Sequence, residues 1–384
     1  MVRVVDWLWQ YAFEQRASDI HVEPRREHGI VRFRIDGVLH QVYQIPASVL
    51  AAMTSRIKIL ARMDVVEKRR PQDGRIKTRT ADTGDIELRI SSLPTAFGEK
   101  LVMRIFDPEV LVRDFRELGF SDEDQRRWNE MSGRANGIVL VTGPTGSGKT
   151  TTLYSTLKAL ATPEVNVCTI EDPIEMVEPA FNQMQVQTQI DLGFAEGVRA
   201  LMRQDPDIIM VGEIRDLETA EMAIQSALTG HLVLSTLHTN DAASTITRMI
   251  DMGVEAFNVA SAVNLVVAQR LVRRICKDCK GPHKYTDEEL ATVGTDLENL
   301  RTIPFMKGTG CDTCSGTGYK GRAGLYEVMA LSPELRRQIL RGASVSEMQE
   351  QAVQEGMLTL RMDGMKKVER GVTTLEEVVK ETAG

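Results

Sequence analysis

No stretch of about 18 consecutive apolar residues occurs in this 384-residue chain, so the sequence offers no membrane-spanning helix. Its first residues, with Asp6, Trp7 and Trp9, do not have the charged-then-apolar profile of a signal peptide. A cytosolic location is therefore expected, and any membrane role has to come through a partner. Aromatic residues are scarce, at 5 % of the chain, and acids outnumber bases by 54 to 47, for a net charge of −7. A nucleic-acid groove wants stacking platforms and a cationic track, so a dedicated nucleic-acid binder is disfavoured. Internal repeats and low-complexity tracts are missing as well. What remains is ordinary for a globular protein, 42 % hydrophobic and 26 % charged, and long enough for two or three domains.

The most informative stretch is Gly143-Pro144-Thr145-Gly146-Ser147-Gly148-Lys149-Thr150, which reads G-x-x-x-x-G-K-[ST]. The apolar run Gly137–Thr142 before it suits a buried parallel strand, and Thr151–Leu160 after it suits a helix. Glycines let successive backbone N–H groups converge on phosphate oxygens, aided by the positive end of the helix. Lys149 is placed to reach the β- and γ-phosphates and the Thr150 hydroxyl to sit on Mg²⁺, with Gly143 to Thr151 forming the cradle. The pattern predicts binding of a nucleoside triphosphate.

Around this loop the chain reads as follows. Residues 1–107 form an α+β module: a helix near Val4–Phe13, a hairpin Ile30–Ile35 and Val38–Val42 turning at Asp36-Gly37, a helix over Val49–Met63, and strands at Ile86–Ile90 and Lys100–Phe106. It is rich in arginine: Arg69, Arg70, Arg75, Arg79, Arg89 and Arg104. Residues 108–116 form a linker, and the second domain opens with a capping signal at Ser121-Asp122-Glu123-Asp124. Strands are predicted at Val165–Ile170, ending in Glu171, at Ile208–Val211, leading to Glu213, and at His231–Leu237, leading to His238. Acids just beyond the carboxyl ends of parallel strands lie where doubly wound sheets hold ligands, and P-loop enzymes deliver Mg²⁺ or the attacking water there. His231 and His238 bracket one strand beside the phosphate loop and are read as functional. Asp216 and Asp241 are expected helix caps. Val259–Val272 is read as an apolar helix whose terminal arginines, Arg270, Arg273 and Arg274, suit the helix dipole. A helical segment from Ser332 onward ends in a short helix capped by Thr374.

Four of the five cysteines form two C-x-x-C pairs, Cys276/Cys279 and Cys311/Cys314. In a cytosolic chain this spacing predicts a four-thiolate zinc site, with Gly308, Gly310, Gly316 and Gly318 supplying tight turns. A redox pair is the alternative, and a thioredoxin-like setting is wanting. Cys168, in an apolar strand, reads as a small buried hydrophobe.

Taken in order, the P-loop, Thr169-Ile170-Glu171-Asp172-Pro173-Ile174-Glu175, Met210–Asp216 and His231–Asn240 resemble the Walker A, Asp box, Walker B and His box of the secretion ATPase superfamily. Ala17-Ser18-Asp19-Ile20-His21, Arg34-Ile35-Asp36-Gly37 and Pro71-Gln72-Asp73-Gly74-Arg75 extend the likeness, and the cysteine pairs point to its GspE/PilB branch. The resemblance implies an α/β architecture: a RecA-like ATPase domain (117–274) preceded by a small PAS-like α+β domain (1–107), with a zinc module (275–330) and a C-terminal helical segment (331–384). It implies ATP, Mg²⁺ and Zn²⁺ as cofactors. It implies a cytoplasmic homohexamer that drives pilus or pseudopilus assembly, held at the bacterial inner membrane by a platform protein and a cytoplasmic docking protein. Relatives carry a further N-terminal docking domain with no counterpart in this sequence. Carried over by position, Lys149 and Thr150 bind phosphate and Mg²⁺. Glu171 and Glu213 divide the orienting of water and the holding of the metal. Arg75, Arg89 and Arg104 sense the γ-phosphate, His231 and His238 act as His-box sensors, and Arg203 and Arg215 flank the Walker B strand. Type II secretion and pilus extension both fit, and a RecA-like nucleic-acid translocase or an ATP-binding scaffold without turnover are the rival readings.

Overall fold

The computed structural model describes residues 2–80, 84–106, 112–291 and 300–383, the side chains of residues 79, 80, 84 and 85 excepted. Of the expected linker at 108–116, residues 108–111 lie outside the described residues, as do the Arg79 side chain and residues 292–299 of the expected zinc module. Two compact units are present, Met1–Leu111 and Val112–Gly384.

The first unit comprises α1 (Val2–Glu14), β1 (Asp19–Pro24), β2 (His28–Ile35), β3 (Val38–Pro46), α2 (Ala47–Leu60), β4 (Gln72–Thr80), β5 (Gly84–Thr95) and β6 (Gly98–Phe106). The strands form one antiparallel sheet in the order β3-β2-β1-β6-β5-β4. Its alternation separates two faces. Ile20, Val22, Val31, Phe33, Leu88, Ile90, Leu101 and Met103 pack with Val5, Leu8 and Ala12 of α1 and Leu50, Met53 and Ile57 of α2. The β2–β3 turn has Asp36 at φ 48° and Gly37 at φ 87°, the doubly left-handed backbone that matches strand twist and that Asp-Gly adopts readily. A buried ion pair crosses this unit: Lys58 Nζ lies 2.6 Å from Glu99 Oε1 and also donates to the Glu67 carbonyl at 2.7 Å.

The second unit begins with α3 (Phe115–Leu118) and α4 (Asp122–Ser132). Next come β7 (Gly137–Thr142), α5 (Lys149–Leu160), β8 (Val167–Glu171), β9 (Asn182–Gln185), α6 (Phe194–Leu201), β10 (Ile208–Val211), α7 (Leu217–Leu228) and β11 (Leu232–Leu237). They are followed by α8 (Ala242–Asp251), α9 (Ala256–Ala262), β12 (Val263–Ile275), β13 (Lys280–Pro282), α10 (Asp287–Ala291), β14 (Met306–Gly308) and β15 (Tyr319–Ala330). Four helices close the chain: α11 (Pro333–Leu340), α12 (Val345–Gln354), α13 (Leu360–Glu369) and α14 (Leu375–Thr382). The main sheet runs β15-β12-β7-β11-β10-β8-β9. Strands β12, β7, β11, β10, β8 and β9 are parallel, and β15 is antiparallel to β12. Helices cover both faces. Ile138 and Leu140 of β7 join one core with Ala220, Ile224 and Ile246, while Val139 and Val141 join a second with Trp128, Leu153 and Leu157. Burial on both sides is why these strands read as continuous apolar runs.

The caps fall where expected: Ser121 accepts from Asp124 N, Asp216 from Thr219 N and Asp241 from Ser244 N. Thr374 occupies the cap position of α14, but its hydroxyl bonds the Tyr319 phenol at 2.8 Å instead of the helix. One expectation fails. The apolar run Val259–Val272 is a helix only to Ala262, and from Val263 it is a central strand. Periodicity cannot separate a helix from a strand buried on both faces, and the β-branched residues at 263, 266, 267 and 272 favour the strand.

Candidate nucleotide site and four-cysteine cluster

All the acidic and phosphate-loop positions collect at one edge of the main sheet. Register aligns Thr142 with Leu237, Val211 with Ser235 and Val211 with Ile170. The residues that follow these pairs, Gly143, His238, Gly212-Glu213 and Glu171, therefore emerge together beyond the carboxyl ends of β7, β11, β10 and β8. This is the crevice where open parallel sheets take ligands.

The loop between β7 and α5 is built for close approach. Gly143, Gly146 and Gly148 have φ of 147°, 81° and 91°, and a side chain at Gly143 would sit 2.5 Å from the Gln269 carbonyl and 2.7 Å from Ser147 Oγ. Gly148 is the N-cap of α5 with no side-chain cap, so the first N–H groups of that helix, including those of Thr150 and Thr151, are left for another acceptor. Pro144, Thr145 and Gly146 are exposed, whereas Ser147 is buried, and its hydroxyl has no partner among the described residues. Lys149 Nζ donates to the carbonyls of Gly143 at 2.7 Å and Pro144 at 3.1 Å. Burial lowers its pKa to about 8, opposed by the Glu213 carboxylate and reinforced by the Arg270 guanidinium. These features fit a triphosphate: converging N–H donors, an unpaired buried hydroxyl and a partly desolvated cation that an anion would satisfy.

The two acids differ in setting. Glu171, 3 % exposed, accepts from Tyr154 Oη at 2.6 Å, Thr169 Oγ1 at 2.7 Å, Gln183 Nε2 at 3.3 Å and Glu175 N at 3.3 Å. Its orientation is fixed, and the Tyr154 phenol, buried against this carboxylate, has its pKa raised. Glu213 is more open. Its Oε1 lies 3.1 Å from His238 Nε2 and its Oε2 2.7 Å from Arg215 Nη2, a bond that raises the arginine's pKa. His238 thus belongs to the site. His231 does not: it precedes β11, its carbonyl accepts from Gly137 N at the opposite edge of the sheet, and its Nδ1 lies 2.9 Å from Ser226 O. The six-residue strand between the two histidines puts about 20 Å between the edges they occupy. The sequence expectation for His231 is corrected accordingly. Arg203 follows α6 and donates to Arg199 O on the chain leading into the amino end of β10, also away from the crevice.

In the first unit, register turns scattered arginines into a row. Arg34 pairs with Asp19, Asp19 with Arg104, Arg104 with Arg89 and Arg89 with Arg75, across five strands of the polar face. Asp19 serves two of the row's four guanidinium groups, lying 3.2 Å from Arg104 Nε and 3.9 Å from Arg34 Nε. Arg89 bonds Glu87 at 3.2 Å and lies over the Phe106 ring at 4.0 Å, while Arg75 is exposed. Like charges directly opposite repel, so this face is suited to an anion.

The cysteines meet as spaced. The sulfurs of Cys276, Cys279, Cys311 and Cys314 lie within 4.8 Å of one another, with 276–311 and 279–314 both at 3.8 Å and 311–314 at 3.7 Å. Four thiolates at zinc–sulfur bond length around a tetrahedral centre would be ~3.8 Å apart, so the donor set is compatible with zinc. The two knuckles approach so closely that a Cβ at Gly308 would fall 2.1 Å from the Gly318 carbonyl. Burial alone would raise the Cys314 thiol, but the N–H groups of Cys311 and Gly318, together with the Cys311 and Cys279 thiols, outweigh it and bring its pKa to about 6.

Sequence reasoning missed Gln269, Arg270, Tyr154 and Gln183. The first two were hidden by reading β12 as a helix, and the others act through contacts that no spacing encodes.

Comparison with known proteins agrees with this geometry. The chain is 59 % identical over 380 residues to the type IV pilus assembly ATPase TfpB of Acinetobacter baylyi, covering 99 % of this chain and 65 % of that protein. It is 47 % identical to the type II secretion system protein E of Xanthomonas campestris pv. campestris, covering all of this chain and 67 % of that protein. The chain thus spans about two thirds of the length of these relatives. Among solved structures, the ADP-bound pilus retraction motor PilT superposes over 98 % of this chain and 96 % of its own, with TM-score 0.65 and 26 % identity. The sequence model of the Type II/IV secretion system protein family matches residues 1–380. With a phosphate loop and two acids at one end of its parallel sheet, four clustered cysteines beyond it, and a match that runs nearly end to end, this chain belongs to the Type II/IV secretion system protein family.

Proposed function

We propose that this chain hydrolyses ATP as the motor subunit of a pilus or pseudopilus assembly machine. The observation that carries the reading is the convergence of the glycine cradle, Lys149, Glu171 and Glu213 at one sheet edge, in a chain whose relatives are named pilus assembly and secretion ATPases. In this reading the loop N–H groups and Lys149 bind the phosphates of the substrate. Thr150 and Glu213 would hold Mg²⁺, which when bound neutralises charge on the phosphates. Glu171 and Glu213 orient the water that attacks the γ-phosphorus as the bond to the ADP oxygen breaks. His238 holds the Glu213 carboxylate, and Tyr154 and Thr169 hold that of Glu171. Arg75, Arg89 and Arg104 supply the guanidinium charge that phosphoryl transfer rewards by about 10³–10⁵ in rate.

The same reading gives the working form as a cytoplasmic homohexamer bound peripherally to the bacterial inner membrane through a platform protein and a docking protein. The domain plan follows the sequence, with 1–107, a linker at 108–116, an ATPase domain at 117–274, a zinc module at 275–330 and a helical segment at 331–384, except that β15 (Tyr319–Ala330) completes the ATPase sheet. Zinc is assigned a structural role, since four thiolates leave no open position. The test is Mg²⁺-dependent phosphate release by the full chain. Lys149→Ala is expected to abolish nucleotide binding, and Glu213→Gln to retain binding while slowing turnover on the order of 10²-fold. Arg89→Ala is expected to lose turnover with nucleotide affinity largely kept. Wild-type turnover matched by Lys149→Ala would refute the assignment.

A further inference from the structure

Strand β12 runs parallel to β7 through the pair Ala268–Thr142 and then continues past the start of the phosphate loop. The next two residues, Gln269 and Arg270, are 1 % and 8 % exposed. Gln269 Nε2 donates to the Ser147 carbonyl at 2.7 Å, and its Oε1 accepts from Thr152 Oγ1 at 2.9 Å. One carboxamide therefore spans the loop-to-helix junction across Gly148, where a Cβ would come 3.1 Å from the amide nitrogen. Arg270 Nη1 donates to the Gln269 carbonyl at 3.1 Å, and Nη2 donates to the Asn240 carbonyl at 2.9 Å. Asn240 lies two residues after His238, and Thr239 between them is bonded to Thr142 through both N and Oγ1, each at 2.8 Å. No carboxylate lies within ion-pair distance of Arg270 among the described residues.

We propose that Gln269 and Arg270 are positioning residues for the nucleotide: Gln269 sets the curve of the phosphate loop, and Arg270 ties the strand that carries Gln269 to the segment carrying His238. The inference rests on the ATP-site reading above. A loop with three left-handed glycines has many conformations available, and only one aims its N–H groups at a common point. Bonds from a central strand select that one before the ligand arrives, and preorganisation of this kind is gained as affinity. Lys149 cannot do this alone, since it is anchored on the same loop.

The test uses the full chain and a fluorescent ATP analogue, with KM and kcat for ATP measured alongside. Gln269→Leu keeps the volume and removes both bonds; its Kd and KM are expected to rise on the order of tenfold, equivalent to ~1.4 kcal/mol, with melting temperature reported separately. Gln269→Glu gives a signature that lost stability does not mimic. The protonated carboxyl can donate to Ser147 O and accept from Thr152, whereas the carboxylate cannot donate. Its affinity relative to wild type should therefore recover as pH is lowered. Arg270→Lys keeps the charge and loses the fork, and is expected to raise KM several-fold. Lys149→Ala, measured in parallel, separates the two ideas. If it still binds nucleotide, the site reading itself fails. If it does not bind, while Gln269→Leu and Gln269→Glu keep wild-type Kd and KM at every pH, the bracket is overturned.

Discussion

The depressed pKa of Lys149 makes nucleotide affinity a function of pH in a range where few other groups titrate. Burial sets the value at about 8, with Glu213 opposing and Arg270 assisting. A triphosphate binds the ammonium form, so the pKa in the complex lies above that in the free protein, and association takes up a proton between the two. Below pH 7 the lysine is almost wholly charged and adds no further pH dependence of its own. At pH 9 only about a tenth of the free protein carries the ammonium, so the association constant falls about tenfold between pH 7 and 9, or ~1.4 kcal/mol, and by about another factor of ten by pH 10. Titration calorimetry of the full chain at constant ionic strength, in two buffers of different ionisation enthalpy, reads both the affinity and the proton uptake. Lys149→Arg carries a charge that persists throughout this range, so its profile should have no break near pH 8. A wild-type affinity that stays constant from pH 7 to 9, or an arginine variant with the same break, would refute the reasoning.

Two further outcomes follow from particular contacts. Chelation of the metal expected at Cys276, Cys279, Cys311 and Cys314 should lower the melting temperature sharply, because structural zinc binding contributes on the order of 10 kcal/mol to folding; an unchanged melting curve after verified metal removal would count against it. In the first unit, Lys58→Met leaves the Glu99 carboxylate, 7 % exposed, without its partner and should cost about 3–5 kcal/mol in denaturant unfolding. Replacing both, as Lys58→Met with Glu99→Leu, should restore most of that loss, and equal losses in the single and double variants would show that the charge is not the cause.

Local rules carried the sequence reading a long way. Asp36-Gly37, Ser121, Asp216 and Asp241 act through neighbours a few residues off, so the hairpin and caps were legible directly. The phosphate loop was legible because its chemistry is contiguous. Three things were not. The β12 strand lost its period-two signature by being buried on both faces. The distance of His231 from the crevice depends on β11 running the full depth of the sheet. The arginine row in the first unit exists only in the register of five strands, which joins residues as far apart as Arg34 and Arg104.

Strand β12 serves at once as the wall beside the phosphate loop and as the stem of the first cysteine knuckle, since Cys276 follows its last residue. A slip of one position along its neighbours would turn Gln269 to the opposite face, away from Ser147 and Thr152, and, in the same stroke, rotate Cys276 from its three fellow sulfurs. The two sites therefore share a single mechanical tolerance. Loosening the thiol cluster would loosen the grip on the phosphates as well.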